Sequence, residues 1–209
     1  KKQYRQLDYE IHNFYIVNFE PYQVYRYLEQ YSKEDHGIFK EDIDPDVITV
    51  SDTLISNGYQ AFVVGGCIRD MLLGKIPKDF DIATDASPPE ICKLFNKAKI
   101  IGRRFKIVHV YTSERKYFEV TTFRSDVKKK TNEKKFKKIQ GMIKRDNVYG
   151  SISQDAFRRD FTVNSLYLDL DSEILHDYVN GVDDIKNGKL RLIKKPSISY
   201  QEDPVRMLR

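Results

Sequence analysis

The glycine pair Gly65 and Gly66 constrains the fold of this chain more than any other feature of its sequence. The apolar run at residues 60–64 predicts a buried strand, and the two glycines after it predict a tight turn that lets the backbone approach a ligand closely. Arg69 follows within the next few residues and supplies a positive charge. A strand that ends in such a turn, with a cation beside it, is typical of a phosphate-binding loop.

A pair of aspartates lies shortly after this turn. Residues 78–83 are predicted to form a strand in which Asp79 and Asp81 share one face while Phe80 points into the core. Carboxylates ~4 Å apart repel each other by roughly 4 kcal/mol at an effective dielectric near 20, so the pair favours a divalent cation or a shared proton. Mg²⁺ together with a triphosphate satisfies both the aspartates and the glycine turn. A solvated surface pair is the alternative.

Two later segments add polar groups that suit a nucleotide. Glu119 is the candidate for a third acidic ligand, because alternation in the predicted strand at 117–123 turns it away from the core. Arg159, Asp160 and Asn164 fall within one turn of a helix predicted at 153–165 and offer groups for phosphate and ribose. The alternatives are a surface glutamate on an edge strand and a salt-bridged surface helix.

Composition limits the class of protein. The chain has 209 residues, a net charge of +5 and a pI near 9.0, a mild basic excess that favours nucleic acid only slightly. Its two cysteines form no CxxC pair, which argues against a zinc site or a disulfide framework. With no run of apolar residues long enough for a membrane helix and no signal-peptide pattern, we expect a cytoplasmic protein without a membrane partner.

Five segments occur in the order found in one enzyme family: residues 65–70, 79–81, 119–124, 158–164 and 202–206. In these segments the chain resembles the class II CCA-adding enzymes and bacterial poly(A) polymerases, which belong to the DNA polymerase beta-like nucleotidyltransferase superfamily. The resemblance covers residues 46–209. Residues 100–110, with Arg103 and Arg104, look like the segment that marks the poly(A) polymerases, so poly(A) addition is favoured over CCA addition.

The resemblance implies roles for individual residues. Asp79 and Asp81 are expected to bind two Mg²⁺ ions, and Glu119 to orient the 3′-hydroxyl of an RNA primer. Asp203 and Arg206 are expected to read the base edge, with Asp accepting from an exocyclic amine and Arg donating to a ring nitrogen. The full nucleotide-binding set comprises Gly65, Gly66, Arg69, Arg124, Arg159, Asp160, Asn164, Asp203 and Arg206.

The implied reaction is an attack of the RNA 3′-hydroxyl on the α-phosphate of ATP, with pyrophosphate released. ATP is then the substrate and an RNA 3′ end the partner, from mRNA or other transcripts, or from tRNA if the activity is CCA addition. A non-catalytic RNA-binding module is the alternative from another class. Five basic residues are expected to contact the RNA backbone: Arg103, Arg104, Lys128, Lys129 and Lys130. A solvated linker loop explains the lysines equally well.

The expected fold is α/β, with a mixed, mostly antiparallel sheet of about five strands flanked by helices. Helices are predicted at residues 46–57 and 70–73. Three parts are expected along the chain: an N-terminal extension at 1–45, a catalytic nucleotidyltransferase head at 46–176, and the start of a small helical neck at 177–209. Because the sequence stops inside a predicted helix, we expect the neck to be truncated.

Overall fold

The computed structural model describes residues 28–102, 106–113, 116–125 and 148–208, and the backbone of three two-residue strands outside these ranges. The strands are β1 Tyr15–Ile16, β2 Glu29–Tyr31, β3 Ala61–Val64, β4 Asp81–Thr84, β5 Ala98–Ile101, β6 Ile107–Tyr111, β7 Tyr117–Thr122, β8 Lys138–Ile139, β9 Met142–Ile143, β10 Leu166–Asp169, β11 Ile174–Asp177 and β12 Lys189–Leu190. The α-helices are α1 Lys33–His36, α2 Pro45–Ser56, α3 Gly66–Leu72, α4 Pro88–Leu94, α5 Ile152–Arg158, α6 Gly181–Lys186 and α7 Pro196–Glu202. Single 3-10 turns span Lys40–Asp42, Thr162–Asn164 and Pro204–Leu208.

The main sheet has eight strands in the order β2-β11-β10-β3-β4-β7-β6-β5. Neighbouring strands are antiparallel except β4 and β7, which are parallel, so the prediction of a mixed, mostly antiparallel sheet is confirmed. The predicted number of about five strands is wrong. Both strands at one edge, β2 and β11, were missed because β2 reads Glu-Gln-Tyr, which has no apolar alternation, and β11 adjoins a segment rich in turns.

One face of the sheet carries the main core. Helices α2 and α4 pack there against β3, β4, β5 and β6 and cover buried side chains such as Val63, Ile82, Val108 and Val120. On the opposite face α5 covers only the β3, β4 and β10 region, through a smaller cluster that includes Tyr167. The side chains of β6 and β7 on that second face are partly covered or exposed. Within the described ranges, this part of the sheet therefore remains accessible to a ligand.

Helix α2 begins and ends at residues that favour its boundaries. The carboxylate of Asp44 accepts a hydrogen bond from the backbone N–H of Asp46, and Pro45 occupies the first turn, where its missing N–H has no helical partner to lose. Gly58, just after the helix, has φ of 86°, a conformation that favours glycine. The predicted helix at 46–57 is confirmed within one residue. No helix in the described ranges combines the length and apolar character needed to cross a bilayer.

Gly181 lies where α6 meets the 3-10 turn at Thr162–Asn164. A Cβ at this position would overlap the carbonyl oxygen of Thr162 and lie 3.2 Å from Cδ2 of Leu166. We expect Gly181→Ala to destabilise the protein by an amount near the top of the ~1–3 kcal/mol range for overpacking, because a backbone atom must move. Urea unfolding measures the loss. Asp183→Ala, at an exposed position of the same helix, should stay within about 0.5 kcal/mol; equal midpoints for the two variants would contradict this account.

Candidate active site

The glycine turn joins β3 to α3. Gly65 has φ of 87°, which favours glycine, and α3 begins at Gly66, earlier than the predicted helix at 70–73. A Cβ at Gly65 would lie 3.7 Å from both Nη1 of Arg159 and Oδ2 of Asp81. Gly65 therefore lies within contact distance of a cation and a carboxylate that were predicted to belong to the same site.

Asp81 and Glu119 are neighbours in the sheet. Asp81 is the first residue of β4, and the parallel ladder with β7 pairs it with Glu119. Adjacent strands lie about 4.8 Å apart, so the two carboxylates on this face are held close together. Burial, with a further contribution from Glu119 and a smaller one from Asp79, raises the pKa of Asp81 to about 6 against the opposing effect of Arg159. The site therefore concentrates negative charge.

Asp79 lies outside the strand, in the loop before β4, so the predicted strand at 78–83 is confirmed only from Asp81 onward. The antiparallel ladder between β3 and β4 ends at Val64 and Asp81, because β3 turns away at Gly65. Asp79 is exposed, and Phe80 packs partly against the main core as expected. Asp79 and Glu119 both line a cavity of about 660 Å³. The loop before β4, and not the strand itself, thus places Asp79 at the cavity that Glu119 also lines.

The three carboxylates do not form a ready-made metal site. Among the described residues, no group of three or more His, Cys, Asp or Glu side chains is arranged to hold a metal ion. The donor set nevertheless suits Mg²⁺, since it consists of carboxylate oxygens. Burial first, and then the negative charge of Glu119, raises the pKa of Asp81, and a bound cation would favour the ionised carboxylate. These residues fit the ion by their chemistry.

The pKa of Asp81 gives a prediction for the protein in EDTA. Since the folded-state pKa is raised above 3.8, the stability that this group contributes is fully present below about pH 4 and is lost as the pH rises through about 6. Asp81→Asn cannot ionise, so at pH 8 it should be more stable than the natural protein by on the order of 2–3 kcal/mol, or several degrees in Tm. At pH 5 the difference should shrink. Thermal unfolding at both pH values checks this, and an equal difference at both would contradict it.

Residues from two separate motifs are joined by hydrogen bonds beside the glycine turn. Nη1 of Arg69 donates to Oδ1 of Asn164 at 2.7 Å, and Nδ2 of Asn164 donates to Oδ1 of Asp160 at 3.4 Å. Nε and Nη2 of Arg69 donate to Asp70. The predicted helix at 153–165 is confirmed only as far as Arg158, where α5 ends, and Asn164 belongs to a separate 3-10 turn. Arg69, Asp160 and Asn164 nevertheless share one site.

Arg159 is held by two residues that the sequence analysis missed. Its Nε donates to Oη of Tyr167 at 2.8 Å and its Nη2 to Oδ2 of Asp155 at 3.2 Å. Tyr167 donates to the same carboxylate oxygen at 2.7 Å, and the guanidinium lies 5.1 Å from the centre of the Tyr167 ring. Asp155 and Tyr167 are buried. The four-residue spacing of Asp155 and Arg159 on a helix was the available signal for this pair.

The other predicted nucleotide-binding residues, Arg124, Arg206 and Asp203, make the following hydrogen bonds. The backbone N–H of Arg124 donates to Asp155, while its Nη2 donates to the carbonyl oxygen of Lys106. Arg206 donates to Ser199 and to the carbonyl oxygen of Arg158, next to Arg159. Oδ1 of Asp203 accepts from the N–H of Val205. Five predicted RNA-binding residues lie outside the described ranges: Arg103, Arg104, Lys128, Lys129 and Lys130.

Fold and site together define a nucleotidyltransferase-like head, with a glycine turn and two neighbouring carboxylates on one side of a mixed sheet. Residues 61–191 match the family model described as the poly A polymerase head domain, and the chain belongs to that family. The chain is 48% identical over 191 residues to poly(A) polymerase I of Haemophilus influenzae, a match that covers 87% of this chain and 42% of that protein.

Other relatives include both poly(A) polymerases and CCA-adding enzymes. Poly(A) polymerase I of Escherichia coli O157:H7 is 45% identical over 181 residues (85% of this chain, 38% of that protein), and the CCA-adding enzyme of Bacillus pumilus is 37% identical over 162 residues (78% and 38%). The solved Bacillus stearothermophilus CCA-adding enzyme in complex with CTP matches with a TM-score of 0.64 at 30% identity, over 80% of this chain and 38% of that chain. The chain thus spans about two fifths of the length of these relatives.

Proposed function

We propose that this chain is the catalytic head of a poly(A) polymerase, an RNA nucleotidyltransferase that adds AMP from ATP to RNA 3′ ends without a template. The pairing of Asp81 with Glu119 directly beside the Gly65 turn is the observation that carries this proposal. It puts two carboxylates and a phosphate-binding turn within reach of one ligand. A phosphoryl-transfer site needs that combination, because its catalysis comes mainly from position and charge.

Different residues of the chain are proposed to bind different parts of the nucleotide. Gly65, Gly66 and Arg69 hold the triphosphate, while Asp160 and Asn164 face the ribose and the phosphates. The hydrogen bond from Arg69 to Asn164 supports this assignment, since it sets both side chains in position before a nucleotide arrives. Asp203 and Arg206 are proposed to select adenine by its edge.

The carboxylates receive the metal ions. Asp79 and Asp81 would hold two Mg²⁺ ions, which would lower the pKa of the attacking 3′-hydroxyl and neutralise charge on the leaving pyrophosphate. Glu119, next to them, would orient the 3′-hydroxyl of the RNA. Burial, and after it the negative charge of Glu119, raises the pKa of Asp81, and a bound cation would offset both effects, which supports this assignment.

CCA addition to tRNA is the second candidate, since CCA-adding enzymes are also relatives. The higher identity to poly(A) polymerase I favours poly(A) addition. The experiment incubates the full-length protein with ATP, CTP and a tRNA that lacks its terminal CCA. Long tails of A alone are expected, and the addition of two C and one A would overturn the assignment. A non-catalytic RNA-binding module would add neither, and the presence of all three acids in the sequence argues against it.

Several finer points belong to the same proposal. The lysine-rich segment at 128–138 and the pair Arg103 and Arg104 are proposed to attract the RNA backbone, which makes binding weaker at high salt. Division into an extension at 1–45, a head at 46–176 and a neck from 177 also stays a prediction. A cytoplasmic location is proposed from the cysteine usage.

A further inference from the structure

A cluster of three aromatic side chains lies beside Glu119 on the accessible face of the sheet. Cross-strand pairing joins Tyr111 to Tyr117 and His109 to Glu119. The rings of His109 and Tyr117 are stacked, with centroids 4.2 Å apart and an interplanar angle of 13°, and the ring of Tyr111 lies 5.6 Å from that of Tyr117. Nε2 of His109 is 3.5 Å from Oε1 of Glu119. We call His109, Tyr111 and Tyr117 the aromatic cluster.

The aromatic cluster is not part of a closed core. Tyr117 is 46% exposed, and His109 and Tyr111 are partly covered. The cavity of about 660 Å³ that reaches Asp79 and Glu119 is also lined by Tyr117. Aromatic surface, a catalytic carboxylate and an opening of ligand size thus meet at one place. Cross-strand stabilisation explains the contact between the rings but not the exposure beside the site.

The order of strands in the sheet indicates that RNA, and not ATP, approaches the site from the side of β7 and β6. The triphosphate residues follow β3, and Asp160 and Asn164 precede β10, so the proposed ATP site lies on the β3 and β10 side of β4. In an in-line displacement the attacking oxygen and the leaving pyrophosphate lie on opposite sides of the phosphorus. The RNA 3′-hydroxyl must therefore approach from the other side of β4, where β7 and β6 carry Glu119 and the aromatic cluster.

We propose that the aromatic cluster binds the base of the 3′-terminal nucleotide of the RNA by stacking, with Tyr117 as the main contact. This inference rests on the proposed function. Aromatic side chains bind single-stranded RNA by stacking, and stacking tolerates any base, which suits an enzyme that must accept different RNA ends.

Charges around the cavity are consistent with a nucleic acid that enters from the loop before β4. Lys75 and Lys78 line the cavity, and within the described residues their side chains make no ion pair. Lys116 also lines it but is held by Asp44 and Asp46 at 2.9 and 2.6 Å. Among the three lysines that line the cavity, Lys75 and Lys78 are thus available to the phosphates behind the terminal nucleotide.

The experiment is a double-mutant cycle on the full-length protein. Two RNAs are compared, one with a normal 3′-terminal nucleotide and one whose terminal ribose lacks its base, each with the natural protein and with Tyr117→Leu. Leucine keeps apolar surface on the strand and removes the ring. Steady-state extension, with RNA or ATP varied in turn, gives the KM for each RNA and for ATP. Thermal unfolding confirms that the variant is folded.

Removal of the base and removal of the ring should each raise the KM for RNA by about tenfold, and the two together no more than either alone. The KM for ATP should not change, and Tyr117→Phe should behave like the natural protein. Phe39→Ala, which removes another aromatic ring of similar exposure (45%), is the matched control. The inference would be overturned if removal of the base and removal of the ring raised the KM for RNA independently, so that the two effects multiplied. An unchanged KM for RNA in Tyr117→Leu, or a change in the KM for ATP alone, would also overturn it. If the natural protein does not extend RNA at all, the proposed function fails instead.

Discussion

Asp79→Ala is expected to lower the rate of AMP incorporation by at least a thousandfold, equivalent to roughly 4 kcal/mol of transition-state stabilisation. Asp79 is exposed in the loop before β4, so its removal should not disturb folding. Its carboxylate lines the cavity with Glu119 and contributes to the raised pKa of Asp81, which ties it electrostatically to the site. If Asp79 binds metal as proposed, its loss would leave the remaining acids unable to hold both ions.

Single-turnover extension of a labelled RNA measures the rate, and fluorescence anisotropy measures RNA affinity. The affinity of Asp79→Ala for RNA should remain close to that of the natural protein, because we propose that RNA is bound by cationic side chains and by stacking, neither of which this substitution removes. Asp85→Ala is the control, since it removes an exposed carboxylate just after the opposite end of β4. An unchanged incorporation rate in Asp79→Ala would count directly against a metal role for this residue.

Asp155→Ala is expected to destabilise the protein by about 3–5 kcal/mol, the usual effect of removing one partner of a buried ion pair. Asp155 is buried and accepts hydrogen bonds from Arg159, from Tyr167 and from the N–H of Arg124. Its removal leaves a partly buried guanidinium and two buried donors without this acceptor. For a chain of this size the corresponding fall in Tm is roughly 6–20 °C.

Thermal and urea unfolding measure this loss, and Tyr167→Phe provides a graded comparison. That variant removes one hydroxyl but keeps the ring under Arg159, so its effect should be about 1–2 kcal/mol. Folded Asp155→Ala should also bind ATP more weakly, since Arg159 lies beside Gly65 and Asp81. A loss below about 1 kcal/mol in Asp155→Ala would show that Arg159 finds another partner.

The sequence predicted the acids of the site better than it predicted their backbone. Alternation in β7 correctly turned Glu119 away from the core, as the burial pattern of that strand confirms. The same reasoning failed for Asp79, because the alternation of residues 78–81 mimics a strand that has no partner beyond Val64. Whether a neighbouring strand continues is a property of the fold, and the local sequence does not encode it.

The segment around Arg159 shows a second limit of local patterns. Its polar spacing predicted a continuous helix, yet the chain leaves the helix at Arg159 and runs extended. Long-range hydrogen bonds account for the difference: the N–H of Ile193 donates to Asp160, and the N–H of Thr162 donates to the carbonyl oxygen of Arg191. Tertiary pairing of this kind outweighs helix propensity. It also explains why the contact of Tyr167 with Arg159 was missed.

A crystal structure with a non-hydrolysable ATP analogue and Mn²⁺ in place of Mg²⁺ tests the central claim most directly. We predict two anomalous peaks bound by Asp79 and Asp81, at coordination distances of roughly 2.0–2.2 Å, with Glu119 facing them and the triphosphate against Gly65 and Gly66. Peaks away from these acids, or a triphosphate bound elsewhere on the chain, would contradict the proposed site.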